Sequence, residues 1–219
     1  MKPSVTLVNK AKTENALQII QGLKKNYPDA HCALVFKNPF ELLIATILSA
    51  QCTDERVNQV TQVLFAVYPT PLALSEATLP QIEKIIFSAG FYKNKAKSLK
   101  TCATTLVEKY KSEVPQNLDQ LVELPGVGRK TANVVLGNAY GIISGIVVDT
   151  HVSRLTNRFG WVKTENAVIL EQKLMKFVPH EDWIMISHYL ISHGRSLCKA
   201  RSPSCDKCFL FDLCSRKGV

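Results

Sequence analysis

Glycine and proline are scarce in this chain, ten of each among 219 residues. With 46% hydrophobic residues, that excludes a collagen-like, low-complexity or largely disordered chain. The seven cysteines are an odd number, and Cys32, Cys52 and Cys102 stand singly in apolar surroundings. No disulfide framework is therefore expected, and a reducing compartment is. The opening stretch, MKPSVTLVNKAKTE, lacks the apolar core of a signal peptide. One charge-free run, Thr131 to Val148, is 18 residues long. Asn133, Asn138, Gly137, Gly141 and Gly145 break it into a helix and a turn, so no membrane span is expected. Acid is also short: 18 Asp and Glu against 27 Lys and Arg leave a net charge of +9. The expected partner is a polyanion, with nucleic acid ahead of a membrane surface.

The basic excess is concentrated. Six lysines and one acid lie between Lys93 and Lys111, and six basic residues face two acids between His193 and Val219. Almost every periodic stretch is helical. Leu99, Cys102, Ala103, Leu106, Val107 and Tyr110 mark one helix face. Pro39–Ala50 and Trp183–Ile191 are apolar nearly all round and read as buried helices. Thr78-Leu-Pro-Gln81 is a capping box opening a helix through Ile86. Ala167, Leu170, Leu174, Phe177 and Val178 mark a further helix. Gly145–Val148 is the best strand candidate and is too short to matter. The class is all-α, built from many short helices, with length for one or two domains.

Leu124-Pro-Gly-Val-Gly-Arg-Lys130 links a short helix, about Leu118 to Glu123, to a second from Lys130 to Tyr140. Pro125 ends the first because the residue before proline is pushed out of the α region. Gly126 and Gly128 can take positive φ and admit another backbone closely. The turn delivers the N–H groups of a helix N-terminus to an anion, here a DNA phosphate. Lys130 sits in the first turn of that helix, where the dipole and partial burial disfavour its ammonium form. Such a lysine is a usable amine nucleophile for Schiff-base chemistry. Nineteen positions on, Asp149 places a carboxylate just before another helix, where it is an N-cap or a catalytic group. At the C-terminal end, Cys198-x6-Cys205-x2-Cys208-x5-Cys214 packs four thiols into 17 residues. That spacing indicates a metal. Zinc sites usually draw on two paired knuckles and only one is present, while four thiolates also suit a [4Fe–4S] cluster.

LPGVG opening a helix resembles the helix-hairpin-helix element of DNA-binding proteins. LPGVGRKTANVV followed by VDTHV, with the cysteine spacing, resembles the endonuclease III family of DNA glycosylases. The resemblance covers nearly the whole chain. It implies two helical lobes with a DNA-binding cleft between them: a six-helix barrel with the hairpin, residues 32–142, and a cluster lobe, residues 1–31 and 143–219. It implies double-stranded DNA with a damaged base or abasic site as substrate. Lys130 would attack C1′, Asp149 would assist departure of an oxidised pyrimidine, and β-elimination would nick the strand 3′ to the abasic site. It implies a [4Fe–4S] cluster on Cys198, Cys205, Cys208 and Cys214, pinning the loop of Lys199, Arg201 and Lys207 toward phosphates. Pro125, Gly126, Val127, Gly128 and Arg129 would form the hairpin contact with DNA.

A glycosylase must extrude its target nucleotide and fill the hole. By resemblance Gln51 takes the void-filling position and Phe91 the apolar wedge, where leucine is common. The path from Lys130 to Asp149 is one residue longer than the family pattern. The alternatives are a monofunctional mismatch or adenine glycosylase, or a non-enzymatic helix-hairpin-helix DNA-binding protein. Leu42–Ala50 holds no Glu of the adenine branch, and the mismatch branch tends to carry Tyr at the position of Lys130. A monomer is the default. The expected location is cytoplasmic and nucleoid-associated in a prokaryote, nuclear or mitochondrial in a eukaryote.

Overall fold

A computed structural model describes residues 5–219, with side chains from residue 12 onward. The reading of the opening stretch as leaderless, and the first residues of the 1–31 segment, lie largely outside the described residues. Regular structure among the described residues is entirely helical, with eleven α-helices, three short 3-10 turns and no strand. No helix among them is long and apolar enough to cross a membrane.

Two compact units partition the chain, residues 32–144 and residues 5–31 with 145–219. The first holds α2 (Pro39–Leu48), α3 (Asp54–Val67), α4 (Pro71–Glu76), α5 (Leu79–Ile86), α6 (Tyr92–Tyr110), α7 (Leu118–Val122) and α8 (Arg129–Tyr140). Helix α2 is its centre. Every residue from Phe40 to Leu48 is buried, and α3, α6 and α8 all pack on it. The α6 stripe turns Leu99, Cys102, Ala103 and Leu106 into the same core. Helix starts follow the sequence signals. Asn38 Oδ1 accepts the Glu41 N–H at 2.9 Å, and Thr53 Oγ1 accepts that of Arg56 at 3.3 Å. At α5, Gln81 Oε1 accepts both the Thr78 N–H and its hydroxyl, each at 2.8 Å.

The second unit holds α1 (Val5–Asn26), α9 (Thr150–Arg158), α10 (Ala167–Leu174) and α11 (Met185–Ser196) around Ile19, Leu23, Val152, Leu155, Trp161 and Leu190. Its helix bounds depart from the hydrophobic pattern. Helix α10 stops at Leu174, and Phe177 and Val178 lie in a following turn. Helix α11 begins two residues after Trp183, whose indole N–H donates to Val178 O at 3.0 Å, and runs past Ile191 to Ser196. It continues because His193 and Gly194 are buried although neither is an apolar marker. A Cβ at Gly194 would lie 2.5 Å from His151 Nδ1, so glycine there sets how closely α9 and α11 pack.

Candidate active site and metal centre

In the unit of residues 32–144, α7, a tight turn and α8 form the hairpin. Val127 N–H donates to Leu124 O at 3.0 Å, closing the turn. Gly126 has φ +80°, and a Cβ there would come within 3.0 Å of Ser98 Cβ, so this glycine is required twice over. Gly128 differs from the sequence expectation. Its φ is −93°, and it serves as the N-cap of α8 with no side-chain capping bond and open space where a Cβ would stand. The glycine leaves the N-terminus of α8 sterically bare, which suits a phosphate. Val127 is buried in the core, so only its backbone remains for DNA. Pro125 is half-buried, while Gly126, Gly128 and Arg129 are exposed.

Lys130 is the second residue of α8 and is exposed rather than partly buried. Helix α8 ends at Gly141, φ +67°, with Gly141 N–H on Gly137 O and Ile142 N–H on Leu136 O. The stretch that follows, up to Asp149, has no regular secondary structure, and a change of length is easily absorbed there. Also in this unit, Gln51 and Phe91 both adopt left-handed backbone, φ 53° and 48°, and both are exposed. Lys93, Lys97 and Lys109 line the exposed side of α6. Lys95 instead turns inward, 6% exposed, and Lys100 is drawn to Ser75 O and Ala77 O.

In the other unit, Asp149 caps α9, its Oδ1 accepting the Val152 N–H at 2.8 Å. The carboxylate thus has a fixed place and a local job. His188 lies half-buried; its partial burial lowers the histidine's pKa, His31 adds to that, and Asp149 opposes it. The next features were illegible in the sequence. Arg158, 6% exposed, donates to Cys198 Sγ at 3.3 Å, Lys199 O at 2.7 Å and Ala200 O at 3.0 Å. It therefore ties the first cysteine to the basic loop. Buried His193 has Nε2 3.6 Å from Cys208 Sγ and Nδ1 2.9 Å from the Tyr27 hydroxyl. Burial pushes its pKa down to about 4, so it is neutral at neutral pH. Lys199, Arg201 and Lys207 are all exposed.

Among the described residues no three His, Cys, Asp or Glu side chains close around a single ion. Cys198, Cys205, Cys208 and Cys214 instead line one pocket between α9, α11 and the C-terminal loops. A soft donor set of four thiolates facing one pocket fits a polynuclear iron–sulfur group. Hydrogen bonds to sulfur from Arg158 and from the Arg216 N–H, 3.4 Å from Cys214 Sγ, suit thiolate ligands. Burial, first, and the neighbouring cysteines push the free Cys208 and Cys214 thiols up, so the metal-free site favours protonated sulfur.

An all-helical fold with a bare glycine hairpin, a lysine in the helix it opens and a four-cysteine cavity defines a class of DNA repair protein. The matching family model is the HhH-GPD superfamily base excision DNA repair protein, over residues 44–180, and the iron-sulfur binding domain of endonuclease III matches residues 198–214. Endonuclease III of Synechocystis is 49% identical, covering 93% of both chains, and that of Bacillus subtilis 48%, covering 88% of this chain and 87% of its own. Endonuclease III of Escherichia coli K12 is 44% identical over 96% and 98%. A non-covalent endonuclease III–DNA complex superposes with TM-score 0.89 at 45% identity, covering 93% of this chain and 95% of that one. A trapped endonuclease III–DNA covalent intermediate superposes at 0.88 and 46% identity, covering 93% and 96%. The chain belongs to the endonuclease III family. It is a base excision DNA glycosylase with AP lyase activity and carries a [4Fe–4S] cluster.

Proposed function

We infer that Lys130 and Asp149 carry the chemistry on one extruded nucleotide of damaged duplex DNA. Lys130 Nζ attacks C1′ of an oxidised pyrimidine nucleotide, and the base leaves with the electrons of the N-glycosidic bond. Asp149 stabilises the positive charge that develops on the sugar and assists departure. Ring opening gives an imine between Lys130 and C1′. Loss of a C2′ proton then expels the 3′ phosphate, and water releases Lys130. The observation that carries this reading is the exposed Lys130 amine in the first turn of α8, directly behind the uncapped hairpin. A phosphate held at that N-terminus would deliver the sugar beside the amine. A related endonuclease III has been trapped as a covalent intermediate with DNA, which supports a protein–DNA bond of this kind.

The hairpin backbone and Arg129 bind phosphate, Lys199, Arg201 and Lys207 bind it through the cluster loop, and Gln51 and Phe91 enter the duplex. The four cysteines ligate the cluster, which supplies a rigid anchor for that loop. The protein acts as a monomer on chromosomal DNA in the cytoplasm. An adenine-glycosylase reading finds no support in α2, whose single acid, Glu41, is buried and accepts the Lys37 N–H at 2.7 Å. The test is a substrate panel with Lys130→Gln. That variant is expected to bind abasic-site DNA but not to nick it; full nicking would remove the Schiff-base route.

A further inference from the structure

Lys95 belongs by sequence to the most basic stretch of the chain, yet its ammonium points away from solvent. Nζ donates to Leu48 O and to Ala89 O, each at 2.8 Å. Leu48 ends α2, three residues before Gln51, and Ala89 ends the 3-10 turn Phe87–Ala89, two residues before Phe91. Carbonyls at a helix C-terminus lack intrahelical partners and carry the negative end of the dipole, so a cation is the favoured cap. Here one cation caps two elements at once. Both elements lead into strained backbone, since Gln51 (φ 53°), Gly90 (φ 69°) and Phe91 (φ 48°) are all left-handed. Non-glycine residues persist in that region only where their surroundings over-determine it. Burial lowers the pKa of Lys95, marking an ammonium held inside at a cost that its two bonds offset.

We propose that Lys95 is a positioning residue whose single buried ammonium clamps the Gln51 turn to the Phe91 turn, fixing the separation at which both side chains enter a duplex with an extruded nucleotide. This rests on the reading, above, that Gln51 and Phe91 enter DNA. A duplex from which a nucleotide is removed closes unless two points are filled together. Two loops free to drift apart would each meet a collapsed stack. The clamp has no such task on single-stranded DNA, which has no stack to hold open.

The test compares borohydride-trapping rates of the cluster-loaded, full-length protein on one abasic site placed in a duplex and in a single strand. Lys95→Met is expected to fold with a lowered melting temperature, because two carbonyls lose their donor, to keep its single-strand rate and to lose on the order of tenfold or more on the duplex. In that background Gln51→Ala should cost little further, because the loop it belongs to is already unpositioned. If Gln51→Ala and Phe91→Ala lower the duplex-to-single-strand ratio while folded Lys95→Met leaves it at the wild-type value, or lowers both rates equally, the clamp is refuted and the loop reading stands. If neither loop variant changes the ratio, the loop reading fails and the clamp with it. Should Lys95→Met not fold, Lys95→Arg keeps the charge but not the fit to two carbonyls in so closed a site. It is expected to lower the same ratio, and a wild-type ratio in folded Lys95→Arg would refute the clamp.

Discussion

Asp149 has one observed task and one proposed task. As the N-cap of α9 it holds the Val152 N–H, and asparagine performs that task as well as aspartate. Asp149→Asn should therefore melt like the parent while releasing damaged bases about a hundredfold or more slowly, as base-release chromatography would show. Unfolding of the variant would reduce Asp149 to a cap. Cys102 gives a second prediction. Burial raises its thiol from 9.0 to about 12, so the folded state binds a proton that the unfolded state gives up sooner. The stabilisation is complete below pH 9 and is lost as pH rises toward 12, by about 1.4 kcal/mol per unit of pH. Alkylation of native protein at mildly alkaline pH should spare Cys102 until denaturant is added, which peptide mapping would reveal. Lys130, Asp149 and the four cysteines stand out in the sequence by their motif spacing, and the reactive roles proposed for them rest on it. Lys95, Arg158 and His193 do not stand out. Each belongs to a basic or polar stretch where solvent or phosphate is the natural expectation, and only tertiary packing turns it inward.

The hairpin joins local backbone to recognition at the scale of an element. Its two glycines look equivalent in LPGVG, and the structure separates them. Gly126→Ala would place a Cβ 3.0 Å from Ser98 in a left-handed conformation and should destabilise the fold by about 1–3 kcal/mol. Gly128→Ala meets nothing within 4 Å at an ordinary φ. It should leave stability within about 0.5 kcal/mol while weakening DNA binding, because its methyl group stands where phosphate would approach the α8 amides. Thermal melts and equilibrium binding to abasic-site DNA separate the two effects. Helix existence was legible where apolar residues met a capping residue, as at α2 and α5, and at α6 from apolar periodicity alone. Helix ends were less so. Helix α11 outruns its apolar pattern because His193 and Gly194 are buried by neighbours remote in sequence, which no local rule anticipates.

The unit built from residues 5–31 and 145–219 depends on contacts across most of the sequence at the scale of the whole molecule. Asn15 Nδ2 donates to Leu213 O at 2.9 Å, and Tyr27 bonds His193. Such pairings leave no periodic trace, so composition and spacing alone gave one or two domains and no division between them. The cysteines at the end of this unit tie its closing loops to α9 through Arg158. Cys208→Ser should lose iron, seen as the missing sulfur-to-iron absorption. Its salt-dependent DNA affinity should fall with it, because the loop of Lys199, Arg201 and Lys207 loses its anchor. A metal-free variant with parental affinity would limit the cluster to another task. The net charge of +9 accounts for attraction to DNA in general, whereas the proposed chemistry rests on the hairpin lysine. The most direct measurement of that chemistry is borohydride trapping on a duplex carrying one thymine glycol, with wild type and Lys130→Gln in parallel. A covalent protein–DNA adduct with the wild type and none with the variant is the predicted result; an equal adduct with the variant, or none with either, would contradict the account.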